Sequence, residues 1–136
     1  MANEVQRVRQ AIVALVNADA TLQGLMGRAT DLIRAEGQLS EATLPILVFQ
    51  EPTWDSQSRQ LIVGISAVAE DGTSGANATV QALLAQLEVV LSALGFAAQG
   101  VDAIPLSVDR APGEIDTEGS PTLTITAAIV TLLVFA

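Results

Sequence analysis

The C-terminal segment 121–135 constrains the fold more than any other part of the chain. In its first half Leu123 and Ile125 alternate with threonines, the period-two pattern of a strand with one polar face. From residue 127 onward both faces are apolar, and β-branched residues such as Ile129 and Val134 favour a strand. A strand that is apolar on both faces must be covered on both. The sequence therefore predicts a sheet with helices on one face and, on the other, a second helix layer or a neighbouring subunit.

Three helical stretches are predicted, and the two longer ones can cover one face of this sheet. Apolar residues recur at steps of three and four near the N-terminus: Val5, Val8, Ile12, Leu15 and Val16. A second stripe, ended by Gly95, comprises Val80, Leu83, Leu84, Leu87, Leu91 and Leu94. Between them lies a short helix that Gly27 ends. The expected caps are Asn3 for the first helix, Asp19 for the short one, and Ser74 or Asn77 for the long third helix.

Five stretches have the composition of strands: residues 32–33, 44–51, 60–69, 104–109 and the C-terminal segment. The second and third are expected to pair as a hairpin around a loop, residues 52–58, that is polar except for Trp54. Gly64 predicts a bulge or the close approach of a neighbouring group. Half of the 136 residues are hydrophobic, which is enough for a sizeable core. We therefore predict an α+β fold, with an antiparallel or mixed sheet of about four to five strands packed by two main helices, in a single domain over residues 1–136.

The chain contains no histidine, cysteine, lysine or tyrosine. These four side chains carry most general acid–base catalysis, covalent catalysis and transition-metal ligation near neutral pH. Their absence excludes a Ser-His-Asp triad, a Cys-His pair, a Schiff-base lysine and a zinc finger. We therefore expect that the chain is not an enzyme and uses no cofactor.

The formal net charge is −9, with only six basic residues, and this limits the kinds of partner that the chain can bind. Nucleic-acid binding needs clustered Lys and Arg, and docking on an anionic membrane needs a basic surface. The first ten residues are polar and charged, unlike a secretory leader, and the apolar run 127–136 is shorter than the roughly 20 residues of a spanning helix. We expect a soluble protein made in the cytoplasm, with no specific nucleic-acid partner and no membrane partner.

One loop imitates a metal site. Glu114, Asp116 and Glu118, followed by Gly119, resemble the opening of a calcium loop, in which alternate oxygens converge on the ion. The twelfth position, which should supply a bidentate carboxylate, is Ile125. A solvated acidic loop is therefore favoured, and a small calcium- or ligand-binding module stays as an alternative.

Several residues are candidates for contacts between proteins. Trp54 is conspicuous in a polar loop and can anchor an interface or fold back over the hairpin. Arg59 and Arg110 flank the two main loops and can pair with carboxylates across an interface or locally. The full candidate set comprises Trp54, Arg59, Arg110, Glu114, Asp116 and Ile129.

The order of these elements resembles a known family. An amphipathic helix leads into the stretch 19–28 (DATLQGLMGR), a strand begins at Leu44 with LPILV, and a second strand, a long Ala- and Leu-rich helix and a C-terminal strand follow. This arrangement is similar to the tail-terminator, or tail-completion, proteins of long-tailed phages and phage-derived particles, over nearly the whole chain.

The resemblance implies a structural virion subunit with an antiparallel sheet that carries helices. It implies a homo-oligomeric ring, a hexamer, that caps the tail tube, stops tube growth and presents the surface that docks to the head. The implied partners are other copies of the chain, the tail tube protein and neck or connector proteins, and the implied location is the tail–neck junction of the virion. Another neck or head–tail joining component is the alternative within the same class. No catalytic residues, metal ligands or cofactors are implied.

Overall fold

A computed structural model describes residues 2–29, 31–35, 45–50, 52–70, 76–112 and 123–134. Within these ranges the chain forms helices and strands in one α+β arrangement. The helices are α1 (Ala2–Ala18), α2 (Ala20–Met26), α3 (Ala76–Val90) and α4 (Ala93–Ala98). The strands are β1 (Ile33–Ala35), β2 (Ile46–Phe49), β3 (Thr53–Asp55), β4 (Gln60–Glu70), β5 (Ala103–Pro112) and β6 (Leu123–Val134). The predicted fold class, with a sheet packed by two main helices, is confirmed.

The strands form one mixed sheet in the order β1-β2-β4-β6-β5, and β3 pairs with β4 beside β2. Strand β1 runs parallel to β2, whereas the other pairs are antiparallel. The predicted pairing of residues 60–69 with the strand predicted at 44–51 is confirmed, since Phe49 of β2 lies opposite Ile65 of β4. The C-terminal strand β6 lies between β4 and β5, so its backbone is paired on both sides.

The prediction that residues 52–58 are all loop is wrong. Residues 53–55 form β3, in which Trp54 pairs with Leu61. Threonine and tryptophan both favour a pleated, half-buried surface, and the turn after Asp55 returns the chain to β4 at once. With this short strand, the described residues form six strands, one more than the five predicted stretches.

The helix boundaries test the predicted caps. The Asp19 side chain accepts a hydrogen bond from Leu22 N at 2.9 Å, and Gly27 ends α2 in the left-handed region with φ of 71°, so both predictions are confirmed. Asn3 is not a cap, since α1 already begins at Ala2. Gly95 does not end the long helix either.

The long helix ends earlier because a serine interrupts it. Helix α3 stops at Val90, and the Ser92 side chain then accepts a hydrogen bond from Gly95 N at 3.1 Å, which starts α4. Serine competes for backbone donors and favours caps over helix interiors. The apolar stripe nevertheless continues across the break, with Leu91 and Phe96 both buried.

The helices cover one side of the sheet, here called the first face. On β4 this face carries Leu61, Val63, Ile65, Ala67 and Ala69, and on β6 it carries Ala128, Val130, Leu132 and Val134. These side chains share one buried cluster with residues from all four described helices, including Ile12, Leu22, Leu83, Leu87 and Phe96. The predicted helix cover on one side is thus confirmed. The intervening residues of β4 and β6 point to the opposite side, here called the second face.

Candidate subunit-contact surfaces

The second face is divided into two halves. Toward the end of β4 its side chains are buried, and they are Ile46, Val48, Ser66, Val68 and Ala127. Toward the start of β4 it is open to solvent. Within the described residues the helices pack on the first face. On the second face Ile129 and Leu133 of β6 stay half-buried.

The open half carries a group of apolar side chains around Thr131, here called the open patch. It consists of Ile62, Ile104, Ile129 and Leu133, with Leu106 at the neighbouring register shift of β5. Ile62 and Ile104 are each 41% exposed and Leu106 is 49% exposed, whereas Ile129 and Leu133 are half-buried. Ile104 lies opposite Leu133 in the β5–β6 pair, whereas Ile62 on β4 lies opposite Thr131. Isolated exposed apolar residues are ordinary, but a contiguous group on a sheet face marks an interaction site.

A β-bulge contributes to this surface. The β5–β6 register shifts between Pro105 and Ser107, which leaves Leu106 without a cross-strand partner. Bulges at sheet edges re-aim side chains and weaken further strand addition, as prolines do. The edge strand β5 therefore exposes the Leu106 side chain. At the same position its backbone is poorly suited to pairing with another strand.

Two exposed aspartates border the open patch. Asp109 lies opposite Ile129 on β5, and Asp55 lies opposite Gln60 at the far side of the sheet. Among the described residues, Asp109 forms no ion pair or hydrogen bond. The pKa of Asp55 is lowered, first by a hydrogen bond from the Ser58 side chain and then by the backbone N–H groups of Gln57 and Ser58. Asp55 thus has a structural role in the β3–β4 turn.

On the first face, α1 and the β2–β3 connection enclose a small groove, here called the α1–β3 groove. Its lining comprises Val5, Arg9, Ile12, Phe49, Gln50, Pro52, Leu61 and Val63. The Arg9 guanidinium stacks on the Phe49 ring, 5.2 Å from the ring centre. Within the described part of the chain Arg9 meets no carboxylate. The groove is narrow, because Ile12, Leu61 and Val63 in its lining are buried core side chains. Sequence reasoning missed it because Arg9 and Phe49 are far apart in the chain.

Trp54 and Arg59, two of the predicted contact residues, are integrated into the sheet edge. Trp54 is half-buried and packs against the core, with the Arg59 guanidinium 5.8 Å from the centre of its ring. Arg59 Nε donates to the Val134 carbonyl at 2.8 Å, and Val134 N donates to the Arg59 carbonyl at 2.9 Å. These contacts fasten the β3–β4 turn to the end of β6. The Arg59 backbone has φ of 56°, which is uncommon for a residue with a side chain and marks a tight turn.

Arg110, a third predicted contact residue, also has partners within its own subunit. Its Nη1 donates to Gln81 Oε1 at 2.6 Å and its Nε to Glu88 Oε1 at 3.3 Å, which ties β5 to α3. All of these groups lie at the surface, where such a pair stabilises by less than about 1 kcal/mol. Ile129 lies in the open patch. Glu114 and Asp116 fall outside the described residues, as do Glu118 and Gly119 of the candidate calcium loop, whereas Ile125 lies in β6.

Around β1 a small polar network holds the other sheet edge. Arg28 Nη2 donates to the Pro45 carbonyl at 2.8 Å, and burial lowers the pKa of Arg28. Arg34 pairs with Asp31 at 2.6 Å, and the hydrogen bond from Arg34 is the main reason that the pKa of Asp31 is lowered. Asn17 on α1 accepts a hydrogen bond from Leu32 N at 3.0 Å. These contacts are local and fix the path of the chain between α2 and β2.

The described residues contain no cluster of three or more acids that could hold a metal ion. Within the same ranges, no helix has the length and apolarity to cross a membrane. The open patch is thus a surface feature of the described residues that is suited to a contact between proteins.

Comparison with known proteins yields a match in fold. No family model matches the chain, and no curated protein matches it. Among solved structures, the chain is similar to a chain in a structure titled "Virion of native gene transfer agent (GTA) particle", with a TM-score of 0.57 and 13% sequence identity. The match covers 96% of both chains. The two chains therefore share one fold along almost their whole length.

Proposed function

We propose that this chain is a structural virion subunit. In this proposal it forms a ring, a hexamer, at the end of the tail tube, where it ends tube growth and provides the surface that docks to the head. The partners are further copies of the chain, the tail tube protein and the neck or connector proteins. The location is the tail–neck junction, reached after synthesis in the host cytoplasm.

The observation that carries this proposal is the fold shared with a virion chain over 96% of both sequences. The order of elements that resembles tail-terminator proteins supports the same conclusion from the sequence side.

The surface chemistry agrees with an assembly role. A ring subunit needs two complementary surfaces, because a head-to-tail contact closes into a ring when its rotation permits. The open patch supplies partly exposed apolar side chains for one contact surface. The absence of His, Cys, Lys and Tyr from the chain supports a structural and not a catalytic role.

Another neck or head–tail joining component is the second candidate, favoured by the same observation. The matched structure is a whole virion, and its title does not assign the chain a place within the particle. Both candidates predict a virion protein that contacts copies of itself, and they differ in the effect of its loss on tail length.

Electron microscopy of particles from the source genome, with this gene deleted and then restored, tests the proposal. Over-long tails beside full heads are expected if the ring ends tube growth. Tails of normal length that are not joined to heads would favour the joining component instead. Normal particles without the gene would overturn both, and restoration of the wild-type gene controls for effects on neighbouring genes.

A further inference from the structure

We propose that the open patch binds a virion protein of a different sequence, whose contact surface has an apolar centre flanked by Arg or Lys side chains. This inference rests on the proposed function as a virion subunit and deepens it, because it assigns one surface to one kind of partner. The contacts between copies of the chain then lie elsewhere on the subunit.

Two carboxylates flank the open patch on opposite sides. Asp55 lies opposite Gln60, and Gln60 lies opposite Leu133, so Asp55 shares the second face on the β3 side. Asp109 lies opposite Ile129 and shares the same face on the β5 side. Both aspartates are exposed, and Asp109 has no partner among the described residues. A protein that covers the patch therefore meets negative charge at both sides of it.

No Lys or Arg side chain of the chain lies on this open half. The chain has six basic residues, all of them arginines within the described ranges, so the statement covers every one. Arg110 contacts α3 on the first face, and the Arg59 guanidinium stacks over Trp54, which is also on the first face. Arg34 shares the second face, but it lies on β1 beside the buried half. The other three lie on α1 or directly after α2, and they are Arg7, Arg9 and Arg28.

A second copy of the chain is a poor source of cations for these aspartates, because its arginines are already in use. Arg7, Arg28 and Arg59 donate to backbone carbonyls, Arg34 and Arg110 pair with carboxylates, and Arg9 stacks on an aromatic ring. Packing of one open patch on another would bring two Asp109 carboxylates into one interface. Like charges placed together across an interface suppress association. The cations must therefore come from a different protein.

The apolar side chains and the aspartates divide the work of recognition. The patch has five apolar side chains, of which Ile62, Ile104 and Leu106 are exposed, so its burial favours association. A standard interface contains about 20–30 residues on each side, so these five form only its centre. Covering the patch without cations would leave the flanking carboxylates desolvated and unpaired, which is unfavourable. Charge matching at the two sides therefore selects the partner.

Photo-crosslinking in assembled particles tests which protein covers the patch. The photoreactive residue p-benzoylphenylalanine is placed at Leu106, the particles are irradiated, and the crosslinked peptides are sequenced by mass spectrometry. The expected adduct joins this chain to one virion protein of a different sequence, at a peptide that contains Lys or Arg. The same label at Val89, which is 68% exposed on α3, is the matched control and should not give this adduct. If the label at Leu106 prevents particles from forming, Ile104 takes its place.

An adduct between two copies of the chain would overturn the proposal, because the patch would then be a contact of the ring. The absence of any adduct in labelled particles would overturn it as well.

Charge substitution provides a second readout, since the Asp109 side chain has no contact to lose among the described residues. Asp109→Arg is expected to reduce the yield of the adduct at least tenfold, and Asp109→Asn should reduce it less. Gln10→Arg adds a positive charge at an exposed position of α1 and should leave the yield unchanged. Replacing the basic residue of the crosslinked peptide with Glu should restore the yield with Asp109→Arg. An unchanged yield with Asp109→Arg, or no restoration, would overturn the charge matching.

The failure of this inference is distinguishable from the failure of the proposed function. An adduct between copies in particles with normal tails would overturn the inference and leave the virion role intact. Normal particles after gene deletion would instead remove the virion role itself.

Discussion

The two faces of strand β6 differ in what covers them. On the first face its residues are buried beneath the helices, and they are Ala128, Val130, Leu132 and Val134. On the second face, among residues 126–134, Ala127 is buried, whereas Ile129, Thr131 and Leu133 are half-buried. Both faces are built from similar side chains. Apolar side chains stabilise the structure that excludes water from them. The side chains on the first face therefore stabilise the folded subunit, and those on the second face are available to stabilise an assembly.

Adjacent leucines allow this difference to be measured most directly. Leu132 is fully buried and Leu133 half-buried, with the two side chains on opposite faces. Leu132→Ala is expected to lower the free energy of unfolding by about 3 kcal/mol, because it leaves a cavity under the helices. Leu133→Ala should cost under about 1 kcal/mol and should weaken assembly. Urea denaturation measures both, and equal losses would contradict the division into two faces.

Trp54 lies between the two kinds of surface and should behave accordingly. It packs against the core but keeps part of its ring exposed beneath Arg59. Trp54→Ala is expected to lower the free energy of unfolding by about 2 kcal/mol, less than the cost of removing a fully buried aromatic side chain. Trp54→Phe is the matched control, since it keeps the aromatic packing. An unchanged melting temperature with lost assembly would instead identify Trp54 as an interface anchor.

Ile129 separates assembly from folding within the open patch. Ile129→Asp places a charge on the second face next to Asp109 and should abolish assembly, while lowering the free energy of unfolding by only about 1 kcal/mol. Circular dichroism confirms that the variant is folded, and sedimentation or microscopy measures assembly. Ile129→Val is the conservative control. An unfolded Ile129→Asp protein would show that this position belongs to the subunit core.

The doubly apolar strand shows how much of the surface chemistry the sequence could predict. The alternation that ends at residue 127 indicates that both faces of β6 need cover, and the helices on the first face confirm half of that statement. The same pattern is present in β4, whose Ile62 contributes to the open patch. Strand period and composition are local properties, so they are legible in a single sequence.

The features that the sequence did not predict have two physical causes. Some depend on contacts between residues that are distant in the chain, and others depend on competition between local signals. Pairing of residues 53–55 with β4 depends on how the turn closes, and the apparent loop composition does not reveal it. The Ser92 cap overrides a continuous apolar stripe. The groove brings Arg9 to Phe49 across 40 residues of sequence, and no local pattern predicts that contact.

The side chain of Gln50 packs closely over Gly64, which lies opposite Ile129 in the β4–β6 pair. A Cβ placed on Gly64 would lie 2.5 Å from Gln50 Oε1, and Gln50 N also donates to the Gly64 carbonyl at 2.8 Å. The close approach expected from the sequence is therefore present. Gly64→Ala should lower the free energy of unfolding by about 1 kcal/mol, because the end of the Gln50 side chain must move. The Gln50→Ala/Gly64→Ala double variant should recover part of this loss, and a loss that persists unchanged would place the cost in the strand itself.

Substitution of Asp31 is expected to change the free energy of unfolding least. It is a control for the difference in apolar burial between the two faces, because Asp31 lies at the surface and forms an ion pair. Its pKa is lowered from the ordinary value of 3.8, mainly by the hydrogen bond from Arg34. A lowered pKa in the folded state means that the pair contributes stability above pH 3.8 and that the contribution is lost as the pH falls through the lowered pKa. Because the pair lies largely at the surface, Asp31→Asn should cost under about 0.5 kcal/mol at neutral pH. The cost should shrink as the pH falls through the lowered pKa, and assembly should be unchanged. Measured denaturation across this pH range checks the sign. A loss as large as that of Leu132→Ala would mean that charge and not apolar cover decides the stability of this subunit.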